Sequence, residues 1–192
     1  LKMTAWFLLG IFFSVISYRF QFTLSVSADI LPAFVGLLIL WYVGNKLEKR
    51  GGWFKEASVS ASVLAFINFV GYASEFKNLL PKATTFADSD IFRFIFTGVN
   101  YVYENGALVF SGLTFVVIQF FCRALGSVAE ENKKHTSAII FYVFTWVFLA
   151  LAVFYAVAAF VSLPFGVWMI GYPITAVFAI FAAVFMKKNE LD

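Results

Sequence analysis

Six polar side chains in an otherwise apolar chain carry most of the chemistry it can offer: Arg19, Asp29, Asn68, Asn100, Glu104 and Asn105. A guanidinium, two carboxylates and three amides suit the binding of a polar group by hydrogen bonds and ion pairing. No spacing among them places a nucleophile beside a base, so no catalytic residue is assigned. Arg19 with Asp29 or Glu104 can form an ion pair. Polar groups in apolar surroundings need partners, and they either tie helix ends together or mark a binding site. Two readings follow: a set of structural ties, or an outward-facing polar vestibule that binds a solute. A second group, Gly171, Tyr172, Pro173 and Thr175, lies in "MIGYPIT". Proline removes a backbone donor, so Pro173 should release the carbonyl of Met169 and, with Gly171, kink its helix. That bend is either purely structural or the notch of a gate.

Other chemistries find few residues to use. His135 is the one histidine, so a site needing two imidazoles has no second ligand, and no metal centre is expected. Cys122 is alone in an apolar run and has no intramolecular disulfide partner. Enzymatic function ranks last, and nothing in the residues calls for a cofactor. The net charge of +3 brings no Lys/Arg-rich arm, so nucleic acid is excluded as a partner. Gln119 and Thr145 are single polar groups in apolar runs, expected to bond between helices.

The elements that must position these residues follow from composition. Of 192 residues, 62% are hydrophobic and 13% charged, against roughly half and a quarter in a soluble domain. One soluble core could not hide so much apolar surface, so much of it should face lipid. The 27 phenylalanines fit lipid-facing surface and interfacial belts. The expected fold is all-α: a polytopic transmembrane helical bundle forming a single domain over residues 1–192. Spans are expected near 4–20, 30–47, 57–74, 106–125, 137–161 and 165–186, given that a crossing takes roughly 17 to 25 residues. The first is read as a retained helix, because no small-residue cleavage site follows it. The second is short and interrupted by Gly36 and Gly44. Pro164 should open the sixth. Ala57, Ala61 and Ala65, Ala152 and Ala156, and Thr175, Ala179 and Ala183 form small-residue faces for close packing. Trp6, Trp41, Trp53, Tyr72, Tyr101 and Tyr103 fit interfacial anchors.

Residues 90–104, "DIFRFIFTGVNYVYE", hold Arg93, Thr97, Asn100 and Glu104 at helical spacing, one narrow polar stripe. Joined to the fourth span they would make a helix far longer than a bilayer is thick. The expectation is a separate amphipathic or re-entrant helix in the third loop, turned at Asn105-Gly106. Six spans place ten of the 14 cations on one side: Lys2, Lys46, Lys49, Arg50, Lys55, Arg123, Lys133, Lys134, Lys187 and Lys188. Lys/Arg-rich loops stay in the cytoplasm, so both termini are expected there. Asp29 then caps the outer start of the second helix, with Pro32 in its first turn. Asn68 would lie about 9 Å below the outer end of the third span at 1.5 Å per residue.

The stretch 28–57, "ADILPAFVGLLILWYVGNKLEKRGGWFKEA", resembles a group of small uncharacterised polytopic membrane proteins of Gram-positive bacteria. Their pattern is Asp-Ile-Leu-Pro-Asp-Phe-Ile-Gly, then a hydrophobic run and a basic loop. Asp29, Ile30, Leu31, Pro32, Phe34 and Gly36 match it, and Ala33 stands where the group has a second acid. The resemblance covers about 30 residues and implies a multi-pass protein of a bacterial plasma membrane, with no activity attached. The expected function is binding or transport of a small or lipid-like solute. The alternative is a non-catalytic membrane subunit or scaffold. Its expected partners are the lipid bilayer and another membrane protein or a second copy of itself.

Overall fold

A chain with so few charges has to satisfy its backbone polar groups locally, and helices do so within one segment. The computed structural model describes residues 2–15, 19–23, 26–29, 33–77, 90–158, 161, 169–189 and 191, with side chains described over 2–15, 33–70, 110–158, 161, 169–189 and 191. The order is α1 (Met3–Val15), β1 (Arg19–Thr23), β2 (Val26–Asp29), α2 (Ala33–Leu47), a 3-10 turn (Glu48–Arg50), α3 (Trp53–Lys77), α4 (Asp90–Glu131), α5 (His135–Ala158) and α6 (Gly171–Lys188). The fold is a helical bundle with one short antiparallel hairpin between α1 and α2. Among the described residues, three helical segments are long and apolar enough to cross a membrane: Phe110–Glu131, His135–Ala158 and Gly171–Lys188. The apolar α1 is shorter, and its 13 residues rise about 20 Å.

Each helix packs on the next, and α6 closes the ring between α5 and α1. The centre is built from rings. Phe178 of α6 meets Phe7 of α1 at 6.2 Å and Phe148 of α5 at 5.3 Å, and Phe7 meets Phe121 of α4 at 5.4 Å. All four are fully or almost fully buried. Phenylalanine is therefore divided between the interior and the outer surface, where Phe66 and Phe69 are exposed, as are Trp146 and Ile180. The rings of Phe141 and Phe148 pair with Phe185 and Phe178, so α5 and α6 run antiparallel.

Gly36 and Gly44 do not interrupt α2, which is unbroken from Ala33 to Leu47. They are where its neighbours come closest. A Cβ on Gly36 would lie 2.2 Å from the backbone nitrogen of Ser14, and one on Gly44 would lie 2.9 Å from Cβ of Ser58. Small residues let helix backbones approach in this way. Ser58 adds a 2.7 Å hydrogen bond, its hydroxyl donating to Oδ1 of Asn45. Ala57, Ala61 and Ala65 are all buried, as their spacing predicts.

Four expectations need correction. Residues 90–104 are not a separate helix: α4 is continuous from Asp90 to Glu131, straight through Asn105-Gly106. A glycine inside a helix costs only about 1 kcal/mol, which the flanking apolar turns outweigh. The 42 residues of α4 rise about 63 Å, roughly twice the hydrocarbon thickness. Asp29 is not a helix cap but the last residue of β2, because the chain leaving α1 at Val15 first forms a hairpin. The expected first span to residue 20 is likewise too long, since Arg19 already belongs to β1; Tyr18 lies outside the described residues. Pro173 does not kink a helix interior. It is the third residue of α6, where its missing N–H leaves no intrahelical bond unmade. Pro32 and Pro164 lie outside the described residues.

Candidate functional site

The two ends of the bundle differ in chemistry. At the end holding the start of α3 and the close of α4, the guanidinium of Arg123 sits 3.5 Å from the ring centroid of Trp53, which stacks on Phe120. Tyr142 donates to Glu130 at 2.9 Å, and Lys134 donates to Asn189. Of the cations at this end, Arg123 and Lys46 sit over aromatic rings and Lys134 meets both a ring and an amide. Trp53 is thereby a cation platform as well as an edge aromatic, a pairing that favours arginine.

The opposite end carries the hairpin. Its register sets Arg19 against Asp29, Phe20 against Ala28 and Gln21 against Ser27, with an irregularity before Thr23 pairs with Val26. The two charged positions singled out in the sequence are thus direct cross-strand partners. β2 lies beside α3, the helix that bears Asn68. Asn68 is buried, and its Nδ2 donates to the carbonyl of Leu64 one turn back, at 3.0 Å. Asn100, Glu104 and Asn105 belong to the backbone of α4, and their side chains lie outside the described residues. Thr145 also bonds within its own helix, donating to Phe141 at 3.0 Å, and so does not link two helices.

The start of α6 borders two adjoining spaces. One is an apolar groove of about 840 Å³ between α1 and α6, walled by residues such as Leu8, Phe12, Ala176 and Ile180. The other is a nook of about 30 Å³ lined by the hydroxyl-bearing residues Ser14, Ser111, Thr114, Tyr155 and Tyr172, with Val15 and Phe115. Val15 and Tyr172 line both. Gly171 seats α6 here: a Cβ on it would meet Cζ of Phe115 at 2.6 Å and the hydroxyl of Tyr155 at 3.0 Å. Tyr155 hydrogen-bonds the backbone of Gly171, satisfying a group that the helix start leaves without an intrahelical partner. Thr175 donates to the Gly171 carbonyl at 2.8 Å. Of the four sequence candidates here, Tyr172 borders both spaces, Pro173 and Thr175 border the groove, and Gly171 packs against Phe115 and Tyr155.

Ser14, Ser111, Thr114 and Tyr155 are not among the residues the sequence singled out. A signal was present for one of them. Ser111 lies seven residues beyond Glu104, on the same helical face as Arg93, Thr97 and Asn100. Breaking the helix at Asn105-Gly106 hid that continuity. No family model matches the chain, and neither a curated protein nor a solved structure matches it.

Proposed function

We propose that the chain is a six-span integral membrane protein with both termini in the cytoplasm, which binds or transports a small or lipid-like solute reached from the hairpin end. The resemblance over residues 28–57 supports a bacterial plasma membrane. The concentration of Lys and Arg at the end holding Trp53 and Arg123 supports the orientation, because that end carries the charge a cytoplasmic face retains. One observation carries the solute reading: polar positions converge on the opposite end. Arg19 faces Asp29 in the hairpin register, β2 adjoins α3, and the α4 stripe leads to Ser111 in the hydroxyl nook.

The vestibule is tested by native mass spectrometry of the protein purified in mild detergent. A co-purifying small molecule should be retained by the unaltered chain and lost from Arg19→Gln and from Asp29→Asn. The exchanged pair Arg19→Asp with Asp29→Arg should restore part of it. Equal retention in all four proteins refutes the vestibule. A reporter fused to the C-terminus that is active outside the cytoplasm refutes the orientation.

The length of α4 favours a second reading, a non-catalytic subunit that holds a partner membrane protein. The 42 residues of α4 rise about 63 Å, about 30 Å more than a hydrocarbon core needs. Stoichiometric recovery of one defined membrane protein, lost on shortening this extension, would support it.

A further inference from the structure

The groove between α1 and α6 adjoins a polar nook that no charged side chain lines among the described residues, and together they have the outline of one amphiphile. From Ala5 to Val15 the groove follows α1 for about 15 Å, half of a ~30 Å hydrocarbon core and so one leaflet deep. Its volume of about 840 Å³ is in the range of ligand sites, roughly 300–1,000 Å³. Its walls are aliphatic and aromatic except for Thr175, whose proton goes to the Gly171 carbonyl, and Tyr172 at the end shared with the nook. Among the described residues α6 is the most loosely seated helix, held more by α1 than by α5.

The nook specifies the head. Ser14 donates to the carbonyl of Ile11 at 3.0 Å, and Thr114 donates to that of Phe110 at 3.0 Å. With those protons committed, both buried oxygens offer only lone pairs, so they call for a ligand that donates. Among the described residues no charged side chain lines the nook, so a carboxylate, phosphate or ammonium head would be desolvated without a counter-charge. We infer that the α1/α6 groove seats one chain of a lipid whose head is an uncharged hydroxyl, with Ser14 and Thr114 as acceptors. This rests on the solute-binding reading above and names its ligand class.

The test uses the full chain in phosphatidylcholine nanodiscs with a photoactivatable hexadecanol. Labelling should saturate and map to peptides of α1 and α6. Unlabelled hexadecanol should compete about 3–10-fold better than hexadecyl methyl ether, the ratio set by one hydrogen bond, and better than hexadecanoate. Ser14→Ala with Thr114→Val should collapse the alcohol-over-ether preference while labelling still saturates. Ala176→Phe, on the exposed groove wall, should abolish labelling with the fold intact by circular dichroism. Equal competition by alcohol and ether in the unaltered protein overturns the inference, as does stronger competition by hexadecanoate or labelling that survives Ala176→Phe. A nook that holds only water would give the first of these results. Retention of the co-purified solute in Arg19→Gln and Asp29→Asn is read separately, so either idea can fail alone.

Discussion

Gly36 is the most exposing place to perturb the bundle, because its surroundings leave nothing to rotate away. In Gly36→Ala the new Cβ would lie 2.2 Å from the nitrogen of Ser14, 2.6 Å from the carbonyl carbon of Phe13 and 2.7 Å from the oxygen of Gly10. All three are backbone atoms of α1. Restoring an ordinary contact of 3.4 Å requires α1 to withdraw by about 1.2 Å along that line. A gap of 0.5–1 Å already forfeits a quarter to a half of each dispersion contact across the seam. Overpacking of this kind costs about 1–3 kcal/mol, and the better helix propensity of alanine returns up to about 1 kcal/mol. The net loss is about 1–2 kcal/mol. At about 2–4 °C per kcal/mol for a chain of this size, the melting temperature in detergent should fall by about 2–8 °C. Gly52→Ala is the control, since nothing lies within 4 Å of its would-be Cβ, and it should melt within a degree or so of the unaltered protein. If Gly36→Ala melts at or above the unaltered protein, the α1–α2 contact is not backbone to backbone and the reasoning fails.

Three further outcomes follow from the same packing. Phe178→Ala removes the ring shared by Phe7, Phe144 and Phe148 and should cost about 3–5 kcal/mol, with Phe178→Leu losing much less in the same unfolding assay. Arg123→Gln should cost about 0.5–1 kcal/mol, and a double-mutant cycle with Trp53→Leu should return that coupling; a coupling of zero would mean the guanidinium gains nothing from the ring. Gly106→Ala should leave stability unchanged or raise it by up to about 1 kcal/mol, with amide exchange around residue 106 slowed, because α4 is helical there. Lost helicity in that variant would restore a turn at Asn105-Gly106.

Much of the fold was legible in the sequence because hydrophobic runs and glycine and alanine spacing report directly on helices and their contacts. The ranges of α3 and α5 fall within the expected segments or a few residues beyond them, and Ala57, Ala61 and Ala65 are buried on schedule. The departures share one cause: tertiary context overrides the local signals of a helix start, a kink and a turn. Asp29 followed three residues later by Pro32 reads as a helix start, yet a strand pairing with Arg19 takes the acid. Pro173 reads as a kink only if the helix begins earlier than Gly171. Asn-Gly reads as a turn, yet a helix already propagating through apolar turns absorbs it at modest cost. In the resembling motif, Phe34 meets the ring of Phe69 at 5.3 Å and Gly36 meets α1, so two of its matched residues serve helix packing. The nook stayed hidden because serine, threonine and tyrosine are too common in apolar helices to signal anything until four helices bring them together.

The continuity of α4 changes what the polar stripe means. As a detached interfacial helix, Arg93, Thr97, Asn100 and Glu104 would be one solvated face beside the bundle, with no register relation to anything inside it. On an unbroken helix a 3.6-residue period fixes that relation: seven residues past Glu104 the same face reaches Ser111, which lines the nook. Along that face the charged positions Arg93 and Glu104 give way at Ser111 to a neutral hydroxyl, which suits a site away from water, where a charge without a counter-charge is costly. The stripe and the nook are then one graded surface, so moving the stripe should be felt inside. Inserting a single alanine after Gly106 rotates Arg93, Thr97, Asn100 and Glu104 by about 100° relative to Ser111 while changing the helix by only about 1.5 Å in length. If the graded surface guides a solute inward, that insertion should reduce binding as severely as Asp29→Asn, and a compensating deletion between Asn105 and Ser111 should recover it. Unchanged binding in the insertion variant would mean that the stripe and the nook act independently.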